Sequence, residues 1–227
     1  MTTSEHYPQE YLDGKVEFFY LDFFVNEHVL IPRFETESLV RKVLQDMKNT
    51  PVDYLIDIGT GSGIIPVCLG KNTKLEHITA IDISPEALNI AKKNADHHGV
   101  HIDFQLSNLF SYFLENPSLL SQKNIIATAN LPYIKNDDWE HMSDDTRHEP
   151  KLALFGGSTT GFEMYEILFE QLHKFTSLSS VRSLTFYMEM GYDQSELALA
   201  ECKKYHWSCE LFTDPANIPR FAKIQIF

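Results

Sequence analysis

The residues best placed to do chemistry are Asn130, Leu131, Pro132 and Tyr133. They follow the apolar run 124–129, which reads as a buried strand. A polar amide at the end of such a strand, then a stiff X-Pro step and an aromatic ring, makes little sense as packing. It suits a clamp for a planar group that bears an NH2. A second constellation lies upstream. Asp57 lies in the apolar run 54–58, which leads into Gly59-Thr60-Gly61-Ser62-Gly63. Glycines there allow a tight turn and let the backbone approach a ligand closely. Nineteen residues after Gly63 comes Asp82, at the end of a second apolar run. A carboxylate at that place can accept hydrogen bonds from both hydroxyls of a ribose, and its charge disfavours a 2′-phosphate. The bland reading, turn glycines and a capping acid, loses ground once Asp82 is counted. A nicotinamide dehydrogenase fits worse. The spacing is G-x-G-x-G rather than G-x-G-x-x-G, and no catalytic Tyr-x-x-x-Lys pair stands out.

The elements that must position these residues alternate. Strands are expected at 54–58, 77–82, 102–104, 124–129 and 183–190, with two more at 207–212 and 221–227. Helices are expected from Ser38 to about Met47, at 64–69, from Ser84 to about His97, at 162–175 and at 194–204. Leu39, Val40, Val43, Leu44 and Met47 fall on one helical face, with Thr36 as the N-cap. Ser84 caps the next major helix, with Pro85 in first position and Gly99 as its stop. This alternation gives a seven-stranded, mostly parallel sheet with helices on both faces. Right-handed crossovers place the strand C-termini along one edge, where open α/β sheets bind ligands. The glycine loop, Asp82 and Asn130 therefore converge. Ahead of the sheet, residues 1–14 read as a loose lead-in. The aromatic run 16–24 reads as one strand of a β-hairpin, turned at 26–28 and returned by 29–31. The division is 1–34 for lead-in and hairpin and 35–227 for the catalytic domain.

Composition narrows the class. The chain of 227 residues is 43% hydrophobic, enough for one large domain with a core. With 19 basic and 32 acidic residues the formal charge is -13, so no stable nucleic-acid binding is expected. Cys68, Cys202 and Cys209 are odd in number and lack C-x-x-C spacing. They predict a reducing, cytoplasmic setting with no disulfide framework. No signal peptide and no membrane span are expected. The histidines show no ligand spacing, so no metal is expected. The acidic loop 137–145 reads as solvated, with a lid over the substrate as the functional rival.

The acid-GxGxG loop with Asp82 resembles the S-adenosylmethionine site of class I methyltransferases, a Rossmann-like fold. The tetrad resembles the Asn/Asp-Pro-Pro-Tyr/Phe of methyltransferases that act on planar NH2 groups. There the nitrogen is a poor nucleophile because its lone pair is delocalised. The Asn130 side-chain carbonyl and the Leu131 backbone carbonyl would each accept one N–H, and Tyr133 would pack on the planar group. Catalysis is then mostly positioning and desolvation. Residues 29–37, Val-Leu-Ile-Pro-Arg-Phe-Glu-Thr-Glu, resemble a segment of the PrmC/HemK family. So do Glu149-Pro150-x-x-Ala153-Leu154-x-Gly156-Gly157-x-x-x-Gly161 and Glu189-x-Gly191-x-x-Gln194. That family methylates a glutamine side-chain amide in class I peptide release factors.

The resemblance implies S-adenosylmethionine as cofactor, held by Asp57, the loop Gly59 to Gly63, Asp82, Asn108, Leu109 and Asn130. It implies a release factor as partner, with the tetrad as substrate clamp and Arg33 and Thr36 at the mouth of the site. The sequence departs from the family at four places. Leu131 replaces a proline but keeps its carbonyl. Phe34 replaces another proline. Asn108 replaces an acid that faces the adenine, losing its charge. The segment before Tyr11 is short beside the family's N-terminal helical domain, so another region recognises the substrate or the substrate differs. Asn-Leu-Pro-Tyr is also the tetrad of ribosomal RNA adenine dimethyltransferases. That rival predicts a basic face and a helical C-terminal subdomain, against which the charge and the strand-like C-terminus both count. A non-catalytic cofactor-binding subunit would not need Asn130.

Overall fold

The computed structural model describes residues 7–226. The first residues of the expected lead-in, and Phe227 of the last expected strand, lie outside that range. The sheet forms as the alternation requires. Strands β3 (Tyr54–Ile58), β4 (Ile78–Asp82), β5 (Asp103–Leu106), β6 (Asn124–Asn130), β9 (Ser183–Glu189), β10 (Ser208–Thr213) and β11 (Pro219–Gln225) stand in the order β10-β11-β9-β6-β3-β4-β5. Pairing is parallel from β9 to β5 and antiparallel at β9-β11 and β11-β10.

The strand period of two sorts side chains into two cores. From β3, Ile56 and Ile58 enter one core and Leu55 the other; from β6, Ile125, Ala127 and Ala129 oppose Ile126. Helices α5 (Ser111–Glu115), α7 (Glu163–Leu178) and α8 (Ser195–Lys204) cover the first face. Helices α2 (Glu37–Met47), α3 (Ile64–Lys71) and α4 (Pro85–His98) cover the second. Ser84 caps α4 as expected, its Oγ accepting from Ala87 N at 3.1 Å, and Gly99 ends it at φ 65°. Thr36 does not cap α2: its backbone is already helical and its hydroxyl is committed elsewhere.

The N-terminal expectations need correction. The lead-in contains a short helix, α1 (Gln9–Asp13). The hairpin folds the aromatic run back on itself, pairing β1 (Lys15–Phe18) with β2 (Leu21–Phe24). Its turn is Phe19-Tyr20, at φ 52° and 63°. A two-residue hairpin turn wants positive φ at both positions and advertises itself as Asn-Gly or Asp-Gly. Two aromatics give no such signal. Tertiary contacts hold the turn instead: Phe19 N donates to Glu37 Oε1 at 2.9 Å, and the Arg41 guanidinium lies 4.9 Å from the Phe19 ring centre. The turn at 26–28 is real, with Asn26 Oδ1 accepting from His28 N at 3.1 Å. It leads not into a strand but into an irregular segment, whose Val29 and Ile31 pack with Tyr11.

The long loop after the tetrad is also structured. Strands β7 (Ile134–Lys135) and β8 (Phe155–Gly157) pair in parallel, and a helical turn, α6 (Lys151–Leu154), lies between them. No helix of the described residues is long and apolar enough to cross a membrane.

Candidate functional site

The glycine loop follows β3 and is held by backbone first. Gly59 N and Thr60 N both donate to Ile81 O, at 2.8 and 2.9 Å. Gly59 owes its identity to a φ of 70°; a Cβ would also press on the Leu131 side chain, at 2.6 Å. Asp82, at the end of β4, closes the loop from the other side. Its Oδ2 accepts from Gly61 N at 2.8 Å and its Oδ1 from Ser84 N at 2.9 Å. Burial pushes the Asp82 carboxyl above the ordinary carboxylate range, against these backbone donors, which favour its charge.

A cavity of about 320 Å³ opens here, at the C-terminal edge of the parallel strands. Of the residues expected to hold a cofactor, Gly59, Gly61, Asp82, Asn108, Leu109 and Asn130 line it. Gly61 faces open space where a side chain would project. Half-exposed Ile83 adds an apolar wall. Such a site, mostly apolar with one carboxylate at a loop of backbone N–H groups, fits a nucleoside-sized ligand with a polar tail. Asp57, Thr60, Ser62 and Gly63 do not line the cavity. Asp57 is buried behind the loop, where Thr128 Oγ1 donates to its Oδ1 at 2.7 Å and its Oδ2 has no protein partner. Burial raises its pKa to about 6. Ser62 offers its carbonyl to Asn94 Nδ2 at 2.8 Å, and Gly63 lets the loop seat against Ala91 of α4. These four residues build the loop rather than wall the cavity.

The tetrad is the wall between this cavity and a smaller one of about 70 Å³. Leu30, Asn130, Leu131, Pro132 and Ala153 face both. Of these two cavities, Tyr133 and Arg33 line the smaller but not the larger. Asn130 ends β6 in register with Glu189 of β9. Its Nδ2 donates to Thr36 Oγ1 at 3.2 Å, and Thr36 Oγ1 donates to Glu189 Oε2 at 2.7 Å. The resemblance placed Thr36 at the mouth of the site; instead it is fully buried behind Asn130. Burial raises the pKa of Glu189 to about 7, opposed by Thr36, Arg220 and Asn130. Tyr165, also fully buried, receives Leu131 N on its hydroxyl at 2.9 Å and donates that hydroxyl to Glu189 O.

The three segments noticed in the sequence meet here. Glu149 accepts from Ile31 N at 2.9 Å and pairs with Arg33 Nη2, so the 29–37 and 149–161 stretches are one unit. A Cβ on Gly156 would strike Pro132 O at 2.3 Å, and one on Gly161 would strike Tyr133 O at 2.3 Å. The glycines let this strap lie on the tetrad backbone. Gln194 fastens it, donating to Tyr133 O at 2.9 Å and Thr160 O at 3.0 Å. Tyr165 and the role of Glu189 were not anticipated. Glu189 did leave a signal, an acid closing the strand in the Glu189-x-Gly191-x-x-Gln194 segment; Tyr165 sits on the apolar face of α7 and left none.

A family profile described as a methyltransferase domain matches residues 55–148. The release factor glutamine methyltransferase of Bacillus anthracis is 39% identical over 172 residues, covering 74% of this chain and 59% of the relative. The release factor glutamine methyltransferase of Bacillus cereus is 35% identical over 197 residues, covering 85% and 68%. This chain thus spans about three fifths to two thirds of the length of these relatives. Among solved structures, the ribosomal protein L11 methylase of Lactobacillus delbrueckii subsp. bulgaricus superposes with a TM-score of 0.56 at 17% identity, covering 88% of this chain and 82% of that one. At that identity the likeness concerns the fold.

Proposed function

The chain belongs to the release factor glutamine methyltransferase family, and from that premise we propose that it methylates a glutamine side-chain amide. The donor is S-adenosylmethionine, and the acceptor lies in the Gly-Gly-Gln loop of a class I peptide release factor. The observation that carries the reading is the shared wall. The larger cavity is of nucleoside size, the smaller one of carboxamide size, and Asn130-Leu131-Pro132 separates them.

S-adenosylmethionine supplies an electrophilic methyl group when bound. Everything else falls to the chain. Asp82 would take the ribose hydroxyls on the lone pairs its backbone donors leave free, and Ile83 and Leu109 would bracket the base. Asn108, exposed at the rim, offers an uncharged carbonyl to the base amino group. Asn130 Oδ1 and Leu131 O accept the two N–H bonds of the glutamine amide and aim its nitrogen through the wall. Leu30 and Ala153 exclude water from the passage. No general base is needed, because the amide nitrogen becomes acidic once it is alkylated.

Incubation with methyl-labelled cofactor and two release factors, wild type and Gln→Ala in the Gly-Gly-Gln loop, tests the reading. Label should enter the first and not the second. Equal labelling of both, or labelling of naked RNA in their place, would overturn the glutamine assignment.

A further inference from the structure

The chain Asn130–Thr36–Glu189 holds more information than three hydrogen bonds. A carboxamide has two nearly isosteric ends, an oxygen that accepts and an NH2 that donates. Only the oxygen can receive the N–H of an acceptor amide; the NH2 end would repel it. Something must choose. Thr36 Oγ1 has a single hydrogen, and it is spent on Glu189 Oε2 at 2.7 Å. Toward Asn130 the hydroxyl therefore shows only lone pairs, and it is Nδ2 that meets it, at 3.2 Å. Among the described residues no hydrogen bond ends on Asn130 Oδ1, which leaves it to the shared wall of the two cavities.

We propose that Thr36 and Glu189 are positioning residues that fix the polarity of the Asn130 carboxamide, turning Oδ1 toward the methyl-acceptor NH2. This deepens the glutamine reading and rests on it. The choice depends on the charge of Glu189. As a carboxylate it can only accept, which forces the order just described. As a carboxylic acid it can donate to Thr36 Oγ1, freeing the threonine hydrogen to donate to Asn130 Oδ1. The carboxamide then turns over and presents Nδ2. The groups that face Glu189 are Glu35 and Thr36 from the turn before α2, Asn130 and Tyr133 from the tetrad, Tyr165 from α7 and Arg220 from β11. Arg220 favours the charged form; burial and Glu35 oppose it, placing the transition at about 7. Turnover should thus rise with pH through this transition.

The test combines turnover with a signal that needs no turnover. In the wild-type protein, the side-chain 15NH2 resonances of Asn130 are followed from about pH 5 to about pH 8, a span that brackets the raised carboxyl. A titrating shift near the transition is expected; a flat profile overturns the proposal. Thr36→Val removes both the donor and the acceptor at one stroke. It should lower kcat roughly 10- to 100-fold, the usual scale for a misaligned reacting group, and abolish the acid limb of the kcat profile. Cofactor affinity by calorimetry should stay unchanged. Thr36→Ser, which restores the hydroxyl, should restore both kcat and limb. Wild-type kcat and limb in Thr36→Val, or Thr36→Ser behaving as Thr36→Val, overturns the proposal. Should Thr36→Val not fold, the wild-type titration and the Thr36→Ser profile decide alone. If instead wild type labels no glutamine acceptor, the glutamine reading fails, and the resonances of Asn130 still report on the relay.

Discussion

At the scale of single residues, the proposed site separates atoms that face the two cavities from atoms that hold them in place. Asn130 stands in the wall, so Asn130→Ala should cut turnover by well over tenfold, which is more than about 1.4 kcal/mol of barrier. Cofactor binding by calorimetry should stay within a few-fold, since the loop and Asp82 are untouched. Activity within tenfold of wild type would contradict the clamp. Asp82 answers to a different measurement. Its carboxylate orients the loop through Gly61 N and Ser84 N and faces the cavity. Asp82→Ala should weaken cofactor binding roughly 10- to 100-fold, the scale of one or two charged hydrogen bonds at about 1.5–3 kcal/mol each. The tetrad and Asp82 were both legible in the sequence, because a polar residue ending an apolar run has few structural excuses. The place of Thr36 was not legible. Beside a helix start, a threonine reads as a cap, and nothing local tells that its hydroxyl is claimed by a strand that arrives 153 positions later.

At the scale of elements, two features carry stored conflict. The hairpin turn keeps Phe19 and Tyr20 at positive φ, which costs an L-residue about 1–2 kcal/mol. Phe19 is repaid by Glu37 and Arg41, both partly buried or paired; Tyr20 is 80% exposed and its contact with Arg41 lies at the surface. Tyr20→Gly should therefore raise the urea midpoint, by a stability gain of about 1 kcal/mol. The strap behaves oppositely. Gly156→Ala would place a methyl within 2.0–2.3 Å of the Gly161 and Pro132 carbonyl oxygens. It should cost about 1–3 kcal/mol through displaced backbone, and lower turnover more than cofactor affinity, because the displaced backbone belongs to the proposed clamp. Sequence periodicity found every strand of the main sheet. It missed the hairpin register and the strap, since both rest on contacts between distant segments and on glycines whose need is a neighbour's carbonyl, not a turn.

At the scale of the whole molecule, stability should depend on pH with two arms. Asp57 and Glu189 are buried acids with folded-state pKa raised to about 6 and about 7. Below their unfolded values near 4 both states hold the proton. As pH rises from there the unfolded chain ionises first, and stability falls until the folded pKa is passed, by up to about 1.4 kcal/mol per unit for each group. On the other side stands Glu163, lowered to about 2 by the strap's backbone donors Thr159 N and Thr160 N. Its contribution is present above its unfolded value and lost as pH falls toward 2. A maximum near pH 4 to 5 is expected from these groups, and Asp57→Asn should flatten the decline between about pH 4 and pH 6 in urea titrations. An unchanged slope would mean that Asp57 does not hold its proton in the folded state.

The tie between Ile31 and Glu149 spans 118 residues, and that between Thr36 and Glu189 spans 153. Both close long loops, whose entropic cost grows only slowly with length. Each stitches an early segment to one that leaves the ribosome much later. The parallel sheet can begin to pair around β3 and β4 while synthesis continues, but the clamp has no back wall until β9 is in place. On the proposed reading, methyl transfer would therefore wait for β9.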